Sequence, residues 1–327
     1  MTNNENKLKI QSNLDKMSDF DSYIESTKNI VPFATGFPQL DEILDGGIKE
    51  GLTTVIAIPG IGKTTFCMQI ADNVAQQGRD VLVFALEMSR NELIAKSLSR
   101  ISYLKQERRI MPQTSNTFML GFLQKNLSDD ELDFMRQCKE DYKKFAEHIF
   151  IDESESERTI SVISQMIANH IKETGNTPLI IIDYAQIIAP TKANMTDKQK
   201  MDEIVLELKR ITRRLSVPII AISSINRASY DEVLGLQSAK DSGGIEFTST
   251  VLIGLQYKAR QKGKDGKYSV DIETEGSRNT RDIELKIIKN RFGKSFCTIP
   301  LKFYPECGYF EEKETIENIR ERNNDKF

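Results

Sequence analysis

The chain has few of the residues on which several common kinds of site depend. Its 327 residues include two histidines, four cysteines and no tryptophan. The cysteines are scattered and form no Cys-x-x-Cys pair, which excludes a zinc finger and argues against a disulfide framework. His148 and His170 are the only histidines, so the chain has too few for a histidine-rich metal centre and offers little for a Ser-His-Asp hydrolase.

Long apolar runs and an excess of charge of one sign are also absent. The longest run of apolar residues, at 81–86, has six members. A membrane-spanning helix needs ~20, so we expect no membrane span. The amino terminus lacks the apolar region of a secretory signal, and we therefore expect a cytoplasmic protein. With 45 basic and 48 acidic side chains the net charge is −3. That value leaves nucleic-acid partners open, because a DNA-binding ring can confine its basic residues to one pore.

From about residue 32 onward, short apolar runs alternate with amphipathic helical stretches. This alternation is typical of parallel βαβ units, so we expect an α/β fold with a mostly parallel twisted sheet flanked by helices. The predicted buried strands are residues 53–58, 80–85, 179–182 and 218–223, and the predicted helices include 64–77 and 89–103. Residues 105–148 are predicted to be helical and peripheral. After residue 250 the pattern predicts strands joined by hairpins, at 251–257, 268–273, 283–290 and 297–303.

The two ends of the chain differ in character from this core. Residues 1–31 are polar, with a weak helical stripe from Leu14 to Ile24. The stripe predicts a linker helix that is either frayed or docked on another subunit. Residues 32–312 are expected to form the main domain, and the charged residues 313–327 are expected to be a flexible tail.

A glycine-rich segment between the first predicted strand and the first predicted helix carries the strongest chemical signal. Glycines let the backbone approach a nucleotide closely, a helix start favours phosphates, and Lys63 is placed to reach the β- and γ-phosphates. Thr64 would supply a hydroxyl to Mg²⁺. Ala57 departs from the pattern GxxxxGK[ST], and a chance turn before a helix is the alternative interpretation. The residues expected to hold ATP are Pro59, Gly60, Ile61, Gly62, Lys63, Thr64 and Thr65.

Two carboxylates follow predicted strands, where ligands of open α/β sheets bind. Asp183 ends the strand at 179–182 and is the candidate Mg²⁺ ligand together with Thr64, although an ordinary turn-capping Asp is the alternative. Glu87 follows the strand at 80–85, where it is placed to face the γ-phosphate and polarise the attacking water. From the residues alone, a charge that stabilises a helix start explains Glu87 equally well.

Together these segments resemble the C-terminal RecA-like ATPase domain of the DnaB-type replicative helicases. The resemblance covers about residues 33–305 and keeps the family's order throughout. It rests on TGFPQLDE at 35–42, GG at 46–47, the phosphate loop, LEMS at 86–89, DYAQ at 183–186, LKR at 208–210, VPIIA at 217–221, SSINR at 223–227, SGGIE at 242–246 and KNRFG at 289–293. Alanine at the first position of the loop and proline at the third are usual in this family, so Ala57 is no longer an exception.

The resemblance also implies roles that the residues alone do not reveal. It implies that Glu87 is the catalytic base, and that Lys289 and Arg291 reach the nucleotide of a neighbouring subunit in a hexameric ring. By themselves, Lys289 and Arg291 are only a basic strand end. The family's DNA-contacting loop aligns with Lys240, Asp241, Ser242, Gly243 and Gly244. A glycine-rich segment with one lysine suits the phosphates of single-stranded DNA, and a flexible surface loop is the alternative.

Two departures from the family pattern affect these expectations. Ser224 stands where the family usually has a glutamine that senses the γ-phosphate, so coupling of hydrolysis to motion is expected to be weaker or rerouted, for example through Asn226. About thirty residues precede the core, which is enough for a linker helix but not for the family's N-terminal domain that binds primase. The chain therefore resembles stand-alone helicase domains of phages or mobile elements, or a truncated form.

The function that the resemblance implies is an ATP-dependent, ring-forming helicase that uses Mg²⁺ and translocates 5′→3′ on single-stranded DNA. A primase or a helicase loader would be its protein partner. Two alternatives stay open from the sequence. One is a RadA- or RecA-like DNA-dependent ATPase without processive unwinding, and the other is a regulatory RecA-like ATPase that acts on protein partners.

Overall fold

The computed structural model divides the chain into two units, Met1–Pro32 and Phe33–Phe327. It describes residues 12–27, 31–105, 111–120, 127–153, 158–185, 188, 195–225, 233–236, 238, 244–258, 261–262, 268–269 and 272–313. For residues 261, 262, 268 and 269 the description covers the backbone alone.

The described part of the first unit is helical, as the stripe predicts. Helix α1 spans Met17–Thr27 and follows a 3₁₀ turn at Leu14–Lys16. The side chains of Leu14, Phe20 and Tyr23 are each more than half exposed. The apolar stripe therefore buries little surface within its own unit, and its docking on another subunit stays a prediction.

The second unit is built on a nine-stranded sheet with the order β11-β10-β9-β6-β1-β5-β4-β2-β3. Its strands are β1 Gly51–Ala57, β2 Val81–Ala85, β3 Ile149–Asp152, β4 Leu179–Asp183, β5 Pro218–Ser224, β6 Val251–Tyr257, β9 Arg281–Asn290, β10 Cys297–Tyr304 and β11 Tyr309–Glu312. Six neighbouring strands pair in parallel, in the order β6, β1, β5, β4, β2 and β3. Strands β9, β10 and β11 extend the sheet from β6 in antiparallel pairs. Two short strands, β7 Gln261–Lys262 and β8 Tyr268–Ser269, pair with each other. The predicted α/β class with a mostly parallel sheet is confirmed.

Helices connect the parallel strands and cover the sheet. They are α2 Pro38–Ile43, α3 Lys63–Gln76, α4 Arg90–Leu104, α5 Ser115–Leu120, α6 Asp129–Ala146, α7 Ile160–Thr174, α8 Asp197–Leu215, α9 Ile245–Thr248 and α10 Ile272–Gly276. Capping boxes at Ser89, Ser128 and Thr196 fix the starts of α4, α6 and α8, since each hydroxyl accepts a hydrogen bond from the backbone three residues on. No helix in the described part of the chain is long and apolar enough to cross a membrane.

Burial explains why the sequence reveals the central strands so clearly. β2 and β4 are buried along their whole length, because helices cover both faces of the sheet. α8 has a single buried face, with Ile204, Leu208 and Ile211 each at most 2% exposed. These elements belong to one continuous hydrophobic core.

The structure corrects the sequence predictions at several elements. The predicted strand at 268–273 is wrong at residues 272 and 273, because these begin the helical turn Ile272–Gly276. Glu275 in this turn pairs with Arg278 at 3.3 Å. β3, α7 and β11 were not predicted. β3 is a four-residue edge strand, too short for a clear apolar run, and β11 returns from β10 in a tight hairpin.

Candidate nucleotide site

The candidate site lies at the carboxyl-terminal edge of the parallel strands. Ala57 at the end of β1 pairs with Ser224 at the end of β5, and Ala85 in β2 pairs with Asp183 in β4. The sheet order places β5 between β1 and β4, so these ends face one cleft of about 590 Å³. The sequence-predicted residues that line the cleft are Pro59, Gly60, Gly62, Lys63, Thr64, Thr65, Glu87 and Asp183. Ile61 does not line it, because its side chain is fully buried.

The loop between β1 and α3 depends on two glycines with left-handed backbone. Gly60 has φ 77° and Gly62 has φ 106°, values that side chains other than glycine rarely adopt. A methyl group on Gly62 would lie 3.0 Å from the rings of Phe303 and Phe310, which stack with centroids 4.1 Å apart. The hairpin of β10 and β11 therefore supports the loop from beneath, which the loop motif by itself does not indicate.

Lys63 begins α3, and its ammonium group turns back onto the loop. Its Nζ donates hydrogen bonds of 3.0 Å to the carbonyl oxygens of Ala57 and Ile58. Burial lowers the pKa of Lys63 to about 8, although the charges of Asp183 and Glu87 favour the protonated form. The only hydrogen-bond acceptors described for this cation are neutral carbonyls, so an arriving phosphate would be a stronger partner.

Asp183 and Thr64 lie side by side in the cleft and fit a Mg²⁺ ion. Asp183 is 4% exposed, and burial raises its pKa to about 6, while a hydrogen bond from Thr64 opposes that rise. Mg²⁺ is held in such sites by one or two carboxylates together with hydroxyl, water and phosphate oxygens. The described residues contain no group of three or more His, Cys, Asp or Glu side chains placed to hold a metal ion.

Glu87 is exposed at the mouth of the cleft and lies outside α4. A capping box formed by Ser89 and Glu92 closes the start of that helix. The hydroxyl of Ser89 accepts a hydrogen bond from Glu92 N, and the Glu92 carboxylate accepts one from Ser89 N at 2.8 Å. Because Ser89 and Glu92 already cap the helix, the interpretation of Glu87 as a helix-start charge loses its support. Its role in catalysis stays a prediction.

Two cations in the cleft were missed by sequence reasoning, which placed Lys63 alone on the phosphates. Lys96, on the second turn of α4, and Arg281, at the start of β9, also line the cleft. Arg281 donates from Nη1 to the carbonyl oxygen of Gly60 at 3.2 Å and to the hydroxyl of Tyr257 at 3.4 Å. No local motif marks either residue, since only the packing of α4 and β9 brings them to the loop.

Lys289 and Arg291 lie away from this cleft. Lys289 pairs with Leu252, the second residue of β6, and Leu252 in turn pairs with Thr54 in the middle of β1. Both side chains donate to the carbonyl oxygen of Phe247, at 3.3 Å from Lys289 and 2.6 Å from Arg291. Of the predicted DNA-contacting residues, Lys240, Asp241, Ser242 and Gly243 lie outside the described residues, as does Asn226, and Gly244 precedes α9.

Comparison with known proteins shows the family of this chain. A family model of the DnaB-like helicase C-terminal domain matches residues 32–312. The chain belongs to this family. It is 28% identical over 290 residues to the replicative DNA helicase DnaB of Helicobacter pylori strain 26695, covering 86% of this chain and 54% of that protein. It is 29% identical over 287 residues to the replicative DNA helicase DnaC of Bacillus subtilis strain 168, covering 86% and 57%.

This DnaB-like chain thus spans a little more than half the length of those curated relatives. Its fold resembles a separately solved ATPase domain, with a TM-score of 0.73 at 21% identity over 94% of this chain and all of that one. It also resembles a DnaB-like replicative helicase solved with its interactions with primase, with a TM-score of 0.72 at 21% identity over 94% and 68%. The predicted resemblance to the DnaB family and its RecA-like fold are confirmed.

Proposed function

We propose that this chain is the motor of a DnaB-type helicase, which hydrolyses ATP and uses the energy to move along single-stranded DNA and separate a duplex. The observation that carries the proposal is the convergence of Lys63, Thr64, Asp183 and Glu87 on one cleft from three separate strand ends. Membership of the DnaB-like family supports the choice of DNA as the track. Such work on DNA agrees with a cytoplasmic location.

The side chains of the cleft divide the chemistry among them. Lys63 would leave the carbonyls of Ala57 and Ile58 for the β- and γ-phosphates. Thr64 and Asp183 would hold Mg²⁺, which neutralises charge on the transferring phosphoryl group when bound. Glu87, exposed at the mouth, would orient a water molecule and accept its proton. Lys96 and Arg281 add positive charge from the same chain.

We propose that each site is completed by a neighbouring copy in a ring. Lys289 and Arg291 cannot serve the cleft of their own chain, because they lie toward the opposite edge of the sheet. A head-to-tail arrangement would bring that edge of one copy to the cleft of the next, and such contacts close into rings when the rotation permits. A hexamer and a docked α1 are the arrangements that the family resemblance implies.

We propose that single-stranded DNA contacts Lys240, Asp241, Ser242, Gly243 and Gly244. Lys240→Ala should weaken single-strand binding for all base sequences and reduce the slope of log affinity against log salt by about 0.7. Lys172→Ala, at an exposed lysine of α7, is the matched control and should change neither quantity. An unchanged affinity and slope for Lys240→Ala would move the DNA contact elsewhere.

The experiment that tests the function is strand displacement on a forked duplex, with ATPase activity measured with and without single-stranded DNA. The wild-type chain should displace the strand and hydrolyse ATP faster with DNA, and Lys63→Ala should do neither. DNA-stimulated hydrolysis without displacement would support a RadA- or RecA-like ATPase instead. Hydrolysis without salt-dependent DNA binding would support a regulatory ATPase, for which a primase or a loader would no longer be an expected partner.

A further inference from the structure

Three cationic side chains of the described residues line the nucleotide cleft, and one of them has no fixed partner. Lys63 donates to two carbonyl oxygens of the loop, and Arg281 donates to a third. The ammonium group of Lys96, on α4, forms no hydrogen bond and no ion pair with the residues that the structure describes, although the side chain is partly buried. Water reaches such a cation only in part, so an anion in the cleft would be a strong partner for it.

Lys96 lies in a row of charged residues on one face of α4. Glu92, Lys96 and Arg100 follow one another at intervals of four residues, which places them on the same side of the helix. The carboxylate of Glu92 accepts two hydrogen bonds of 2.8 Å from Ser89, one from the backbone and one from the hydroxyl. Arg100 donates to the carboxylate of Asp72 at 2.6 Å. Both neighbours of Lys96 in the row are therefore bound to other groups.

The backbone that carries Lys96 is fixed against α3, the helix that starts at the phosphate loop. Asp72 of α3 binds Arg100 and also accepts a hydrogen bond of 3.0 Å from the hydroxyl of Ser97. Arg100 donates a further bond of 2.7 Å to the carbonyl oxygen of Gly308, in the turn between β10 and β11. Asp72, Ser97 and Arg100 are all buried. The loop and α4 are thus held in one relative position, while the ammonium group of Lys96 is left to bind a ligand.

The electrostatic surroundings of Lys96 also favour an anion beside it. Burial lowers the pKa of Lys96, and the positive charge of Arg100 lowers it further. The negative charges of Glu92 and Asp183 act in the opposite direction without cancelling these two effects. A phosphate group next to the ammonium would offset the cost of burying its charge. Such a group would thus hold Lys96 in its protonated form.

Asp183 indicates which part of a nucleotide Lys96 would meet. Burial is the largest effect on the pKa of Asp183, and the charges of Glu87, Lys63 and Lys96 also act on it. These three side chains therefore lie around one carboxyl group. Lys63 and Glu87 are the residues that we propose to bind the γ-phosphate and the attacking water. Because Lys96 acts on the same carboxyl group, it belongs to the γ-phosphate end of the cleft.

We propose that Lys96 is a ligand of the γ-phosphate, supplied by the same chain that holds the nucleotide. The inference rests on the proposed function, because it needs ATP in this cleft. Lys63 would hold the phosphate from the start of α3 and Lys96 would hold it from α4, so two cations on adjacent helices bind one group. Because ADP lacks the γ-phosphate, Lys96 contributes to the affinity for ATP but not to the affinity for ADP.

The test measures the dissociation constants for a non-hydrolysable ATP analogue and for ADP, each with Mg²⁺, by isothermal titration calorimetry. Lys96→Met should bind the analogue about 10- to 150-fold more weakly than the wild type, which corresponds to the loss of one hydrogen bond between charged groups. Its affinity for ADP should be unchanged, which also shows that the variant is folded. Lys96→Arg keeps a cation on α4 and should bind the analogue more tightly than Lys96→Met does.

Lys105→Met is the matched control. Lys105 follows the last residue of α4 and is also partly buried, but its ammonium binds Asp141 of α6 at 2.5 Å and does not line the cleft. The control should keep the wild-type affinity for both nucleotides. A wild-type affinity of Lys96→Met for the analogue would overturn the proposal, and so would an equal loss of affinity for the analogue and for ADP. A loss in Lys105→Met as large as that in Lys96→Met would trace the effect to the packing of α4 and overturn it as well.

The same measurements separate this inference from the function on which it rests. A wild type that displaces strands, together with a Lys96→Met variant that binds the analogue equally well, would overturn the role of Lys96 and leave the helicase assignment standing. A wild type that binds neither the analogue nor ADP would overturn both.

Discussion

Lys63 and Lys289 lie toward opposite edges of the same sheet. Lys63 follows the carboxyl end of β1, whereas Lys289 pairs with Leu252, the second residue of β6, a strand that runs parallel to β1. One chain therefore presents a phosphate-binding loop at one edge and two basic side chains toward the other. This separation is the geometric reason to expect that a complete site needs two copies, and the first prediction tests it.

Mixing two inactive variants should restore ATPase activity. Arg291→Ala subunits keep the loop, and Lys63→Ala subunits keep the basic side chains, so a mixed interface can pair an intact loop with an intact cation. An arginine supplied in trans contributes on the order of 10³–10⁵ in rate, so a minority of restored interfaces should be detectable in a steady-state assay.

The control is a mixture of Lys63→Ala with Glu87→Gln. Both residues line the same cleft, so every interface in that mixture carries a damaged cleft and no activity should return. If the Arg291→Ala and Lys63→Ala variants assemble together by native mass spectrometry yet stay inactive, the shared site is wrong.

Glu87→Gln should bind ATP normally but lose turnover. The amide keeps the shape of the side chain and removes the base, and loss of such a group lowers rates by about 10²–10⁴-fold. Glu92→Gln is the matched control, because glutamine also completes a capping box and Glu92 serves the start of α4. The measurement is single-turnover hydrolysis together with nucleotide affinity for each variant. A wild-type rate in Glu87→Gln would assign the water-positioning role to another residue.

Arg281→Met should raise the KM for ATP while leaving kcat within about twofold. The side chain supports the loop through its bond to the carbonyl of Gly60, and the loss of one such bond corresponds to roughly a 2- to 12-fold effect. Arg278→Met is the control, since Arg278 pairs with Glu275 and does not line the cleft. Equal kinetics for the two variants would mean that Arg281 does not contribute to nucleotide binding.

Gly62→Ala should destabilise the protein more than Gly60→Ala. Both positions have left-handed backbone, for which an added side chain costs about 1–2 kcal/mol. Only Gly62 also lies against the rings of Phe303 and Phe310, whereas a methyl group on Gly60 would meet nothing within 4 Å. Denaturant unfolding should therefore show a further loss of about 1–3 kcal/mol in Gly62→Ala, and equal losses would refute the support from the hairpin.

Both histidines of the chain bind one carboxylate, Asp80. His148 Nδ1 lies 2.9 Å from one carboxylate oxygen, and His170 Nε2 lies 3.1 Å from the other. Asn176 donates a third hydrogen bond of 3.0 Å. Burial by itself would raise the pKa of Asp80, but these hydrogen bonds together hold it below its ordinary value. The cluster joins the start of β2 to α7 and to the residues before β3.

The stability that Asp80 contributes should therefore disappear in acid. Because the pKa of Asp80 is lowered by folding, its contribution is complete above the unfolded value, near pH 4, and is lost as pH falls through the folded value. Asp80→Asn should cost about 1–3 kcal/mol near pH 7 and flatten the loss of stability below about pH 4. Asp45→Asn, at an exposed carboxylate paired with Lys49, is the control and should show a smaller change in urea unfolding across the same pH range. If the stability of Asp80→Asn fell below pH 4 as steeply as that of the wild type, the loss would not come from Asp80.

The sequence by itself determined the class of the fold and the parts of the site that are continuous in the chain. Strands buried on both faces are uninterrupted apolar runs, so β1, β2, β4 and β5 were predicted within a few residues. The loop from Pro59 to Thr65 is local, because its glycines, its lysine and the start of α3 are adjacent in the sequence. Elements at the periphery, such as β3 and the turn at Ile272–Gly276, carried too few residues or too little apolar pattern to be recognised.

Tertiary structure alone decided which distant side chains complete the site. Arg281, Phe303 and Phe310 come more than two hundred residues after the loop, and only the antiparallel extension of the sheet carries them beneath and beside it. The same pairing decided that Lys289 and Arg291 are excluded from the cleft of their own chain and rest on α9 instead. Strand register is set by contacts across the whole core, so no local pattern around these residues could have revealed where they lie.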